Sequence, residues 1–278
     1  MTGKRKRMIS DAVITVTALL LSLVVIFPIV YCVLGAFKAR VEFSTFPPTV
    51  LPASFTNFDN FKSALEIAPL LRYMLNSLIV ATMGMTIRII LAVLAASSFA
   101  FWNFKGTNLF FFFILATMML PGDTLTITNY LTVSRLHLLN TYLGMCITSF
   151  VGASQMFMLR QNFRSIPKEL RDAARMDGCG ELRFITTMVL PISRPVILTL
   201  CVQSFITLWN AYLWPLLVTN NSDMRTVQVG VTMLNSVEGN NYNLVLAGVT
   251  ISLIPSFILF IFLRKNIMKG MTAGAIVG

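Results

Sequence analysis

The sequence predicts an all-α, polytopic membrane protein, and three observations carry that prediction. Only 12% of the 278 residues are charged and 56% are hydrophobic, against roughly a quarter charged in a soluble domain. Mean hydropathy is +0.76. The apolar residues gather in runs near the ~20 residues that cross a bilayer as helix. These runs are too long and too uniform for the alternating strands of about ten residues that build a barrel. In hydrocarbon an unpaired backbone group costs several kcal/mol, so each run must satisfy its own hydrogen bonds, as a helix does.

Six spans are predicted, within a single membrane domain of residues 1–278 whose core covers about 72–264. The first, Ala12 to Phe37, follows the basic cluster Lys4 to Arg7. Its apolar stretch is longer than a signal h-region and no small-x-small cleavage site closes it, so it is read as a retained span. Pro47, Pro48 and Pro52 then forbid a continuous helix before a short amphipathic stretch around Phe58 to Leu65, which makes an external loop. Tyr73 to Phe101 is the second span, and Leu109 to about Leu125 the third, interrupted by Pro121 and Gly122. The phenylalanines Phe110 to Phe113 are read as lipid-facing bulk. Tyr142 to Leu159 is the fourth span, followed by a charged loop over 161–190, and Pro191 to Val218 is the fifth. A polar outside segment, Thr219 to Asn243, is expected to hold a short amphipathic helix around Val227 to Leu234. Leu244 to Leu263 is the sixth span, and residues 265–278 form a tail. No internal repeat is seen.

Placing the N-terminus inside puts fifteen of the twenty-two Lys and Arg in inside segments. Lys38, Arg40, Lys62, Arg72, Arg135 and Arg225 fall outside, and Arg88 lies within the second span. Positive charge accumulates on the cytoplasmic side, so both termini and the 161–190 loop are expected in the cytoplasm. The basic balance then fits anionic lipid headgroups and a cytoplasmic partner. Nucleic acid is not indicated, since no basic patch is interleaved with stacking aromatics. Cys32, Cys146, Cys179 and Cys201 are scattered, without a CxxC pair or a Cys/His cluster, which argues against disulfides and metal.

The loop needs its own explanation, because it interrupts a lipid-soluble chain with charge and glycine. Pro167 suits a first helical turn and Gly178 with Gly180 supply an end, so a helix of about ten residues is expected between them. At about 100° per residue, Leu170, Ala173, Ala174 and Asp177 share one narrow face while Lys168, Arg171 and Arg175 lie opposite. The alanines would let another protein's backbone approach, and the arginines would lie against headgroups. Glu181 to Pro191 reads as a second short helix ending before Pro191. A helix merely floating on the membrane is the competing reading.

Asp172-Ala173-Ala174, Asp177-Gly178, Phe184, Leu190-Pro191 and Pro195 resemble the signature loop of the membrane subunits of bacterial ABC importers. That loop is usually written Glu-Ala-Ala, three residues, Gly, then an Ile-x-Leu-Pro ending. Asp172 replaces the usual Glu, and Cys179 stands where Ala is usual. "YMLNSLIVA" (73–81), "ATMMLP" (116–121), "LLNTYLG" (138–144), "LWNAYLWPLL" (208–217) and "KGMTAGAIVG" (269–278) extend the resemblance. They are similar to the carbohydrate-type permeases related to the second membrane subunit of maltose and glycerol-3-phosphate importers.

The resemblance implies a type I ABC importer permease fold in the bacterial plasma membrane. It also implies that Glu169, Asp172, Ala173, Ala174, Asp177, Gly178, Phe184 and Pro191 form the coupling site for a cytoplasmic ATPase. The partners implied are a homologous second permease, two ATPase subunits, an extracytoplasmic solute-binding protein and membrane lipids. ATP would be bound by those partner subunits and no cofactor by this chain, which has no GxxxxGK[ST] loop. The resemblance further implies that the "TAGAIVG" tail reaches into the ATPase dimer, as it does in the maltose-type members.

Polar groups within spans tend to line water or protein. Asn76, Arg88, Gln203, Trp209, Asn210 and Tyr212 are therefore candidates for the substrate path. The same groups suit interhelical hydrogen bonds, with Trp209 and Trp214 as interfacial anchors. For Arg88, pairing with a helix end or the partner subunit is favoured over contact with an anionic ligand. An intramembrane enzyme would need a carboxylate pair, HExxH or GxS within the spans, and none occurs. A non-transporting scaffold is the remaining alternative.

Overall fold

A computed structural model describes the backbone of residues 2–235 and 241–273, with side chains from 11 to 258 apart from 123 and 236–240, and at 261. The chain divides into two compact units, Met1–Leu70 with Gly230–Ile254, and Leu71–Val229 with Pro255–Gly278. The regular elements among the described residues are all helical, as the hydropathy requires.

The first unit contains α1 (Thr2–Ala36) and α2 (Asp59–Ile67), with a 3-10 turn at Arg40–Phe43 between them. Apolar side chains from Val13 to Phe27 are exposed along α1, the surface a hydrocarbon solvent would cover. The proline-rich loop is tied down by polar groups. The Glu42 carboxylate accepts from the N–H groups of Ala39 (2.8 Å) and Ala53 (2.9 Å). The Lys38 ammonium is buried, donates to the carbonyl and hydroxyl of Thr49, and lies 5.6 and 5.5 Å from the Tyr31 and Phe43 rings. Asn60 donates to the carbonyls of Ala36 and Lys38 and accepts from Asn243. Buried polar groups are tolerable only when paired in this way.

The second unit is built on α3 (Leu70–Phe101), which is long and apolar enough to cross a membrane. It is followed by α4 (Thr107–Thr117), α5 (Thr126–Arg135), α6 (Tyr142–Cys146) and α7 (Ala153–Arg164). Then come α8 (Lys168–Met176), α9 (Glu181–Phe184), α10 (Leu190–Ile192), α11 (Arg194–Trp209) and α12 (Leu213–Val218). The helices α13 (Val227–Met233) and α14 (Tyr242–Ala273) complete the chain. One core packs Ala92 and Ala96 of α3 with Leu159 and Phe163 of α7, Ala174 of α8, Phe184 of α9 and Leu200 of α11. Another gathers Val80, Val133, Met145, Cys146 and Val218.

Two helices are long and apolar enough to cross singly, Asp11–Ala36 and Leu70–Phe101. The number becomes four if Tyr142–Ser149 with Ala153–Arg164, bent by 54°, and Glu181–Ile192 with Arg194–Trp209, bent by 81°, each count as one crossing. Thr107–Thr117 and Tyr242–Ile258 are apolar but shorter, so the expected six spans are not reached among the described residues. Each break has a local cause. The third apolar run ends as helix at Thr117, and eleven residues rise only about 16 Å, about half the hydrocarbon thickness. The fifth run stops at Trp209 and resumes at Leu213, because the ring of Pro215 would strike the Ala211 carbonyl in a continuous helix. Its beginning also moves, from Pro191 to Arg194. The helix expected to end before Pro191 runs through it to Ile192. A π turn at Ile185–Val189 widens the backbone there and relieves the clash with the carbonyl four residues back.

Candidate functional site

The 161–190 loop folds back onto its own bundle. Pro167 immediately precedes α8, where its missing N–H is not needed. At the other end the Gly178 N–H donates to Arg175 O (3.0 Å) and the Cys179 N–H to Ala174 O (2.9 Å), while Gly178 holds φ at +73°. This pair of bonds closes a helix through a left-handed residue, a conformation that disfavours any side chain bearing a Cβ. Cys179 then packs partly against the core that holds Ala174.

The shared face of Leu170, Ala173, Ala174 and Asp177 is split. Ala174 is 2% exposed and packed within the chain, with Leu170 half-buried beside it, whereas Ala173 and Asp177 are exposed. Glu169, Asp172 and Met176 are also turned outward. Phe184 is 2% exposed and sits edge-on to Phe101 with centroids 5.6 Å apart, so it anchors α9 from within. Pro191 is exposed next to the 81° bend.

Arg171 and Arg175, expected against lipid headgroups, meet a partner within the chain. Both guanidiniums hold Glu181. Arg171 Nη2 lies 3.0 and 3.1 Å from its two oxygens, and Arg175 Nη2 lies 2.5 Å from Oε1. Arg171 Nη1 also donates to the carbonyl of Phe101. Partial burial acts to raise the Glu181 carboxyl, but hydrogen bonds and positive charge from Arg175 and Arg171 outweigh it and hold its pKa below the ordinary glutamate value. Sequence reading missed this clasp because its partners stand ten residues apart and α8 had been assigned a headgroup-facing side. The signal was the turn at Gly178, which reverses the chain between the two short helices and lets Glu181 reach Arg171.

The six candidate path residues do not form one constellation. Asn76 is 2% exposed and wholly engaged: Nδ2 donates to Asp223 O (2.8 Å) and Arg225 O (2.9 Å), and Oδ1 accepts from the Tyr142 hydroxyl (2.8 Å). Arg88 donates through Nε to Ser149 O, the helix-end carbonyl freed where the fourth apolar run bends. A Cβ on Gly152 would lie 2.1 Å from Gln155 Oε1 and 3.2 Å from Arg88 Cδ, so those two side chains would have to shift to admit a larger residue there. Trp209 is buried and stacked on Phe205, with centroids 5.8 Å apart. Gln203, Asn210 and Tyr212 are exposed, and Asn210 Oδ1 accepts from Gln228 Nε2 at 3.3 Å. Trp214 donates to Gly144 O at 3.1 Å. No group of three His, Cys, Asp or Glu suited to a metal occurs among the described residues.

Comparison with known proteins gives this geometry a context. Residues 88–271 match the family described as binding-protein-dependent transport system inner membrane component. The arabinooligosaccharides transport system permease protein AraQ of Halalkalibacterium halodurans is 30% identical over 268 residues, 95% of this chain and 96% of that protein. The sn-glycerol-3-phosphate transport system permease protein UgpE of Rhizobium meliloti is 31% identical over 275 residues, 96% of this chain and 97% of that one. In fold, the chain is similar to a solved bacterial ABC transporter involved in the import of the acidic polysaccharide alginate. The TM-score is 0.81 at 21% identity, covering 94% of this chain and 97% of the other. An all-helical polytopic chain, with a capped helix held on its own bundle and this match across most of its length, belongs to the family of inner-membrane permease components of binding-protein-dependent ABC transporters.

Proposed function

We propose that the chain is one of two homologous permeases of a carbohydrate importer. It would receive an oligosaccharide, or a polyol similar to sn-glycerol-3-phosphate, from an extracytoplasmic solute-binding protein and pass it across the bacterial plasma membrane. Relatives named for arabinooligosaccharides and sn-glycerol-3-phosphate, aligned along nearly the whole chain, support that substrate class. Two cytoplasmic ATPase subunits supply the energy. ATP must bind the two access states with different affinity, since equal affinity would shift no population.

The observation that carries the coupling reading is α8, seated through Ala174 while Glu169, Asp172, Ala173 and Asp177 face away from the bundle. In this reading those exposed groups and Gly178 meet the ATPase, while Ala174, Phe184 and Pro191 set the pose of the loop. Gln203, Asn210 and Tyr212 face the path near the break in the fifth run, where irregular backbone is tolerable beside a cavity. Asn76, Arg88 and Trp209 support that region from within. The domain is taken as one permease unit of six crossings over 12–37, 73–101, 109–125, 142–159, 191–218 and 244–263, with the 161–190 loop between the fourth and fifth. The charge bias supports cytoplasmic termini. The proposed role of the tail in the ATPase dimer falls from Gly274 onward on residues outside those described.

Uptake of radiolabelled solute by the reconstituted complex with its binding protein tests this function. ATP-dependent accumulation of a carbohydrate is expected. Absence of any carbohydrate or polyol uptake by an assembled, ATP-hydrolysing complex would overturn the substrate class.

A further inference from the structure

We propose that Arg171 is the positioning residue through which movement of α8 reaches the spanning helices α3 and, by way of α9, α11. This rests on the reading of α8 as the ATPase-docking helix.

The Arg171 side chain is 18% exposed and lies on the half-buried side of α8. One arm of its guanidinium donates to the carbonyl of Phe101, the last residue of α3, and the other to both oxygens of Glu181 in the first turn of α9. Its guanidinium carbon lies 5.5 Å from the Phe101 ring and 5.8 Å from the Trp102 ring. The last carbonyls of a helix lack intrahelical partners and form the negative end of its dipole. A cation there makes a directional, charge-assisted bond. Glu181 stands at the opposite pole, a helix N-terminus, where a carboxylate is favoured. One planar fork therefore joins the end of one helix to the start of another, which a lysine cannot do in two fixed directions.

The neighbouring groups define the role further. Arg160 Nε donates to Phe99 O at 3.2 Å, so α7 grips the same terminus of α3 from another side. Arg175 also pairs with Glu181, but its side chain is 53% exposed. Arg171 Nε is buried without a partner, so that nitrogen is not offered to a headgroup or an outside protein. A packed alanine alone would let α8 slide over the core. The fork opposes sliding in both directions.

The test uses the complete complex in proteoliposomes, with Arg171→Gln and Glu181→Gln variants, reading ATP hydrolysed per solute carried together with assembly and melting temperature. Arg171→Gln is expected to assemble and hydrolyse ATP near the wild-type rate while carrying solute about tenfold more slowly. Glu181→Gln keeps the Phe101 link, so its loss is expected to be smaller. Independently, spin labels at Lys105 and Met176 in the wild-type complex should keep one separation in nucleotide-free and ATP-trapped states, because α8 and the end of α3 move as one body. A wild-type ATP-to-solute ratio in Arg171→Gln, or a wild-type label separation that changes with nucleotide, would overturn the proposal. If Arg171→Gln does not assemble, the wild-type label separation decides. A wild-type chain that binds no ATPase would instead remove the docking reading on which this one rests.

Discussion

Gly178 holds φ at +73°, and a Cβ built there meets nothing within 4 Å inside the chain. Substitution at this position therefore separates backbone strain from contact with a partner. A residue bearing a Cβ costs roughly 1–2 kcal/mol in the left-handed region, and Asn less. Because α8 is too short to be stable alone, that strain falls on its capped form and shifts the capping equilibrium by about 5- to 30-fold. Gly178 is exposed and its Cβ direction is open, so Gly178→Ala and Gly178→Trp permeases should melt together. Only a partner close to Gly178 can tell them apart, where overpacking adds about 1–3 kcal/mol. The assay is ATPase affinity for permease variants held in lipid nanodiscs, with uptake and melting temperature measured in parallel. The Trp variant is expected to bind at least about tenfold more weakly than the Ala variant and to transport correspondingly less. Equal affinity and equal uptake for Ala and Trp would refute the claim that the ATPase closes over this turn.

Three further outcomes follow from contacts within the second unit. Phe184→Ala should lower stability by about 3–5 kcal/mol through cavity formation, seen as a loss in thermal unfolding in detergent. An unchanged melting temperature would mean that Phe184 does not anchor α9. Asn76→Ala strands two carbonyls and a hydroxyl, so a loss of about 2–4 kcal/mol is expected with solute affinity unchanged. Altered solute selectivity at wild-type stability would instead put Asn76 in the path. For Glu181, whose pKa is depressed in the folded chain, the clasp contributes stability above the unfolded carboxylate value and loses it as pH falls through the folded one. The stability difference between wild type and Glu181→Gln should thus be flat from about pH 8 to 5 and shrink only in stronger acid. A difference that shrinks near pH 6 would contradict that sign.

Hydropathy made the helical membrane class and the positions of the apolar runs legible, because every lipid-facing residue contributes to the signal. It could not count crossings. Continuity depends on single residues such as Pro215, whose effect is steric rather than compositional. In the loop, Pro167 and Gly178 bounded α8 well, since helix ends are set by local backbone chemistry. Which way that helix turns was not legible. Periodicity grouped Ala173 with Ala174, and only the packing of Phe163 and Phe184 determines that one alanine is covered and the other is not. The arginines were assigned to lipid on the same grounds, before tertiary structure supplied Glu181 and the Phe101 carbonyl as partners. Arg88 is the reverse case. A cation in a span needs a buried partner, and a helix end or the partner subunit was the favoured one. The bend at Ser149 supplies it.

The most direct measurement is photocrosslinking from Ala173, the exposed alanine of α8, in native membranes during solute uptake. A crosslink to a cytoplasmic nucleotide-hydrolysing subunit is expected, with a yield that changes when ATP is trapped. Solute accumulation without any such crosslink would contradict it.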